Sequence, residues 1–142
     1  MEEPKLREKS VRDESTTVTV GRNGENRAAS YLESKGYEIL DRNFRMGRQG
    51  EIDLIAKTPD DNGSSVVFFE VKYRKDLDFG RPSLAVDRRK MQRIIQTARH
   101  YMAANHLGET AVRFDILEIW WEKDHHKIHH YKNAFGEDLW TN

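Results

Sequence analysis

The chain has 142 residues, 37% hydrophobic and 34% charged, enough for one domain with a modest core and too little for two. It contains no cysteine, which excludes a disulfide framework and thiolate metal or redox chemistry and fits a reducing cytoplasm. Lys plus Arg and Asp plus Glu balance at 24 each, which argues against a coat protein held on nucleic acid by net charge, and no apolar run approaches membrane length.

The first seventeen residues hold nine charges and no apolar stretch. They do not read as a secretory signal, and residues 1–19 are expected to be a disordered lead-in to a single domain over 20–142. From Val20 to Lys35 the spacing of Ala28, Ala29, Tyr31 and Leu32 predicts a helix, with Gly36 as its stop. Tyr37 to Phe44 predicts a strand, and the Gly-containing segment from Arg45 to Gly50 a hairpin link.

Two strands follow, Gly50-Glu51-Ile52-Asp53-Leu54-Ile55 and Phe69-Glu70-Val71-Lys72, joined by the turn formers Thr58 to Ser65. Alternation predicts Glu51, Asp53 and Ile55 on one side of the first strand, with Ile52, Leu54 and Ala56 on the other. If Lys57 faces Val66 across the turn, the same register puts Asp53 opposite Glu70 and Glu51 opposite Lys72. Carboxylates about 5 Å apart at Cβ repel, and persist when one is protonated or a cation lies between them. Oxygen ligands of this kind suit Mg²⁺ or Mn²⁺. Lys72, roughly 7 Å from Glu70 along the same face, would hold a water or a phosphate oxygen beside the ion. The pattern fits phosphodiester hydrolysis, in which a metal acidifies its water and offsets developing charge.

A slip of register would instead set Asp53 against Lys72 as an ordinary ion pair. What favours the metal site is context. VVFFEVKY and IDLIA require burial on one or both faces, as in a strand covered by helices, and charges set in such strands are costly unless paired or liganded.

A second helix is predicted from about Ser83 to Asn105, with Ile94, Ile95, Ala98, Tyr101 and Met102 as its apolar side. Between Asp87 and Glu109 there is no acid, while Arg88, Arg89, Lys90, Arg93 and Arg99 give five positive charges. Arg89, Arg93, Gln96 and His100 form a polar stripe that reads either as a solvated surface or as a ridge for nucleic-acid phosphates. Arg42, Arg45 and Arg48 would extend that ridge.

Ala111 to Trp121 and Lys127 to Lys132 predict the last two strands. His125, His126, His129 and His130 read as exposed strand or turn residues rather than a transition-metal site. Trp120, Trp121, Tyr131, Phe135 and Trp140 read as an edge of the core or a partner surface. The order α-β-β-β-α-β-β predicts an α/β fold with a mixed sheet flanked by helices.

Taken together, Gly21-x-x-Gly24-Glu25-x-x-Ala28, Tyr31-Leu32, Gly36-Tyr37, Asn43-Phe44-Arg45, Gly50-Glu51-Ile52-Asp53-Leu54-Ile55, Glu70-Val71-Lys72-Tyr73-Arg74, Arg113-Phe114-Asp115 and Asn133-Ala134-Phe135 closely resemble the YraN family of small bacterial proteins. That family looks like a relative of archaeal Holliday junction resolvases within the restriction-endonuclease-like superfamily. The resemblance implies a nuclease-type site in which Asp53, Glu70 and Lys72 match the acid and ExK positions. It adds Glu25 as a further metal ligand on the first helix and Lys90 as a phosphate contact. The implied activity is a Mg²⁺- or Mn²⁺-dependent endonuclease acting on DNA, with junctions or branches as substrate and a homodimer as the cutting unit. Arg45, Arg89, Lys90 and Arg93 are the expected nucleic-acid contacts. No residue reads as a dedicated general base. Two other readings are a non-catalytic nucleic-acid-binding module and a protein-interaction module that uses the aromatic tail.

Overall fold

The computed structural model describes residues 14–48, 50–59, 64–75, 87–122 and 125–140. They form α1 (Glu14–Ser34), β1 (Glu38–Met46), β2 (Gly50–Lys57), β3 (Ser65–Lys75), α2 (Arg88–Ala104), β4 (Ala111–Glu122) and β5 (His125–Tyr131). The strands make one sheet in the order β1-β2-β3-β4-β5. It is mixed: β3 and β4 are parallel, connected through α2, and the other neighbours are antiparallel. This is the α/β architecture and element order that the sequence predicts.

The central ladder explains why VVFFEVKY is so apolar. Phe68 packs with Ile94, Ile95, Ala98, Tyr101 and Met102 beneath α2, whereas Val67, Phe69 and Val71 pack with Ala28, Ala29 and Leu32 beneath α1. Both faces of β3 are covered, so alternation of polarity is lost along it.

Three boundaries move. The expected lead-in over 1–19 and the helix start at Val20 give way to an α1 that begins at Glu14, while residues 1–13 lie outside the described residues. No Pro or Gly lies between Lys5 and Val20, and Glu14 sits at the positive end of the helix dipole. At its other end Tyr37 N–H donates to Leu32 O at 2.9 Å and Gly36 N–H to Glu33 O at 3.0 Å, with Gly36 at φ 92°. This double bond pattern around a left-handed glycine stops α1 one residue before the expected Lys35. The third shift is in α2, which starts at Arg88 rather than Ser83. The Asp87 carboxylate accepts from Arg89 N–H at 2.8 Å and Lys90 N–H at 3.1 Å and so caps the helix there. Residues 76–86, on which the earlier start fell, lie outside the described residues.

Among the described residues no helix is long and apolar enough to cross a membrane.

Candidate functional site

The turn between β2 and β3 sets the register: Lys57 pairs with Val66, and the ladder runs through Ala56–Val67 and Ile55–Phe68 to Leu54–Phe69. The next pair in that register is Asp53–Glu70, but the strand pairing stops before it. In place of a ladder bond, the Asp53 Oδ2 accepts from Val71 N–H at 2.8 Å. The acids that the sequence sets opposite each other thus lie where two strands part.

The same opening breaks the side-chain alternation of β2. Ile52 and Ile55 both join the cluster under α2, while Leu54 and Ala56 face α1. Strict alternation predicts Ile52 on the side of Leu54, and the structure places it with Ile55 instead. Glu51 is exposed and pairs with Arg45 at 3.3 Å rather than with Lys72. Lys72 instead lies in register with Glu118 on β4.

Glu70 is buried, 7% exposed, and its Oε2 is met by Lys90 Nζ at 2.5 Å. Asp53, Glu70 and Lys90 line one cleft with Gly50, Glu51, Val71, Arg93 and Ile94. Gly50 lets α2 come this close: a Cβ there would stand 2.7 Å from Thr97 Oγ1 and 3.3 Å from Arg93 O. Any larger residue would push the helix, and Lys90 with it, off the acids.

Charge in the cleft is uneven. Burial raises the Asp53 carboxyl, Glu70 and Glu51 add to this, and despite the Val71 bond and Lys90 it is pushed up to about 7. Burial lowers the Lys72 ammonium, with Glu70 pulling it back. Burial acts to lower Lys90 too, but its contact with Glu70 wins and holds it above the usual lysine range. An uncompensated acid thus sits beside a neutralised one.

Glu25 does not complete a three-acid cluster: among the described residues no group of three or more His, Cys, Asp or Glu is placed to hold a metal ion. Its Oε1 accepts from Asn43 Nδ2 at 3.1 Å, and Asn43 stands in β1 at φ 51°. Between Glu25 and Asp53 lies Tyr73, whose hydroxyl is pushed up to about 12 by burial and then by those two acids. Its ring rests on Gly24, where a Cβ would come within 2.2 Å of it. The need for a bare backbone under Tyr73 explains the glycine before Glu25 inside a helix.

On α2, Arg89, Arg93, Gln96 and His100 are exposed, and Arg45 is exposed on β1. Lys90 is exposed as well, but its ammonium is paired with the buried Glu70. Arg99 does not extend the stripe: it lies over the Trp140 ring, 4.6 Å from the centroid, and donates to Leu139 O.

A family model described as Uncharacterised protein family UPF0102 matches residues 24–119, more than half of the chain. The chain belongs to the UPF0102 (YraN) family. It is similar to a UPF0102 protein of Caldanaerobacter subterraneus subsp. tengcongensis, 43% identical over 82% of this chain and 94% of that one. Another, from Persephonella marina, is 42% identical over 83% and 94%, and one from Clostridioides difficile 41% identical over 79% and 92%. The UPF0102 match spans Gly24, Glu25, Asp53, Glu70, Lys72 and Lys90.

One expectation for the rest of the chain is corrected. His130 is not an exposed turn residue: its side chain is 6% exposed, with Nε2 2.7 Å from Asp115 Oδ2. Asp115 also accepts from Arg113 Nε at 2.9 Å, Arg113 Nη2 at 2.8 Å and Asn133 N–H at 2.8 Å, which makes it a buried structural anchor. The aromatic tail is an edge of the core, one of the two readings the sequence offers: Phe135 and Trp140 pack on Phe114, and Trp120 Nε1 donates to Glu118 at 2.7 Å. In the run HHKIHHY every second residue shares a strand face, so His130 lies on the same side as the apolar Ile128, and that period was the available signal for a buried histidine.

Proposed function

We propose that this chain is a metal-dependent phosphodiester hydrolase acting on DNA, with Asp53 and Glu70 as the core metal ligands. The observation that carries this reading is the cleft at the parted ends of β2 and β3, where Asp53 is held by Val71 N–H and Glu70 faces the ammonium of Lys90. Mg²⁺ and Mn²⁺ need only one or two carboxylates and otherwise keep water or take phosphate oxygens, so this donor set fits such an ion. The raised Asp53 fits as well, since a poorly compensated carboxyl gains most from a dication. Glu25 would complete the set by leaving Asn43.

When bound, the ion would acidify water and neutralise charge on the phosphate. The chain's own residues have separate tasks. Lys72, whose ammonium burial lowers from the usual lysine range, would hold the attacking water or a phosphate oxygen. Lys90, displaced from Glu70 by the incoming cation, would turn to a phosphate. Arg45, Arg89 and Arg93 would take the strand on either side, and a homodimer would place two such clefts on one branched substrate. The work would fall in the cytoplasm, where DNA and free Mg²⁺ meet.

Purified protein on branched, flapped and single-stranded DNA with Mg²⁺ or Mn²⁺ tests the reading, with Asp53→Asn as control. Cleavage that disappears in the variant is expected, and no cleavage above the variant defeats it.

A second reading is a non-catalytic nucleic-acid-binding module. The Lys90–Glu70 pair favours it, because a lysine there already balances one acid without a metal. Tight, salt-sensitive DNA binding without Mn²⁺ uptake would select it.

A further inference from the structure

Away from the acids, at the end of the sheet where β2 turns into β3, a second polar cleft of about 300 Å³ opens between the end of α1, the start of β4 and the end of β5. Thr58 N–H donates to Ser65 O at 3.0 Å to close its floor, whereas Asp53 and Glu70 lie at the opposite end of that hairpin. Its walls carry Lys35, Arg113, His130 and Lys132 together with Tyr31 and Tyr37, and no acidic residue.

Among the described residues, the carboxylate bonded to this wall is Asp115, wholly buried and occupied by Arg113, His130 and Asn133 N–H. Against that single negative charge stand Lys35, Arg113 and Lys132. The C-terminal end of α1 adds about half a negative charge, which still leaves the described lining positive. Arg113 is fixed before any ligand arrives: Nε and Nη2 are bonded to Asp115, and Nη2 also to Tyr37 Oη at 2.9 Å. A guanidinium locked on one edge presents its remaining donors without further loss of side-chain entropy. Two tyrosines and three cations around a concave floor match a phosphate carried on a small apolar or aromatic body.

We propose that this cleft binds a phosphate dianion, through Lys35, Lys132 and the outer edge of Arg113. The anion comes either from a small phosphate ester or from the terminal phosphate of a nucleic-acid strand. The site does not depend on the hydrolytic reading, since it shares no residue with the Asp53 and Glu70 cleft.

The test is a titration of the full chain with inorganic phosphate, with adenosine monophosphate and with matched short oligonucleotides bearing a 5′-phosphate or a 5′-hydroxyl, followed by amide and phosphorus NMR. Phosphate-dependent shifts confined to the Tyr31, Lys35, Arg113 and Lys132 region are expected. Lys35→Ala with Lys132→Ala, both exposed and so harmless to the fold, should weaken binding about tenfold or more. Binding of the monophosphate but of neither oligonucleotide assigns a small-molecule source, and a preference for the 5′-phosphate oligonucleotide assigns a strand end. No shift at about 10 mM of any phosphate ligand, where even a millimolar site would fill, overturns the proposal. Equal binding by the double variant overturns it too.

Discussion

Asp53 reaches across to Val71 N–H at 2.8 Å where β2 and β3 would otherwise go on pairing. That bond stands where the ladder ends, one residue beyond the Leu54–Phe69 pair and beside Glu70. The fold is stabilised by that bond and strained electrostatically by the charge that makes it.

Asp53 should therefore cost stability at neutral pH and above. A carboxyl that holds its proton more tightly in the fold favours folding below its unfolded value of about 3.9, and that contribution is lost as pH rises through about 7. Asn keeps an oxygen for Val71 N–H and never ionises. Asp53→Asn should raise stability by up to about 4 kcal/mol at pH 8, with the difference nearly gone near pH 4. Thermal unfolding in chelator at both pH values reads this, and a variant less stable at pH 8 contradicts it.

Lys90 competes with any dication for Glu70. In Lys90→Met the competitor is gone, so Mn²⁺ affinity should rise by about tenfold, while the metal-free protein loses roughly 1 kcal/mol because Glu70 is left unpaired. Calorimetric Mn²⁺ titration would expose the idea as wrong if the affinity stayed the same or fell.

Gly24 and Tyr73 should behave as a coupled pair. Gly24→Ala puts a methyl into the Tyr73 ring and should destabilise by about 1–3 kcal/mol, but little of this should remain in a Tyr73→Ala background. Additive losses in denaturant titrations would mean that the ring simply swings away.

The Asp115 anchor sets the acid limit of the fold. Burial acts to raise this carboxyl, yet His130, Arg113 and Asn133 N–H together hold it below the usual range. A depressed folded value means that its contribution is present above about 3.9 and is lost as pH falls through the folded value. Asp115→Asn should cost about 3 kcal/mol or more at pH 7 and flatten the stability profile below pH 4. An unchanged acid limb would show that another group sets it.

The exposed arginines of α2 make a separate quantitative claim. Each phosphate neutralised steepens log K against log salt by roughly 0.9, so Arg89→Ala with Arg93→Ala should reduce the slope for duplex DNA by about 1.8. A slope equal to that of the unaltered protein would remove these residues from the interface.

Much of this fold is legible in the chain because its signals are local. VVFFEVKY can be satisfied only by a strand covered on both faces, and the Thr58–Ser65 turn fixes Lys57 against Val66, from which the ladder follows. What escapes is set by partners far away in sequence. The place of Ile52 in the cluster under α2 and the pairing of Lys90 with Glu70 both rest on such partners. His130 reads as one more polar residue of a charged run, and only its contact with Asp115, fifteen positions earlier, gives the reason for its burial. Gly50 and Gly24 were readable as turn or helix-start residues, yet both serve close approach by Thr97 and Tyr73.

The longest ladder of the sheet joins Ser65–Lys75 to Ala111–Glu122 in parallel, and so can close only after α2 has been made and folded back. Until then a nascent chain would display Val66, Val67, Phe68 and Phe69 along an unzipped margin, ready to pair with any neighbouring copy.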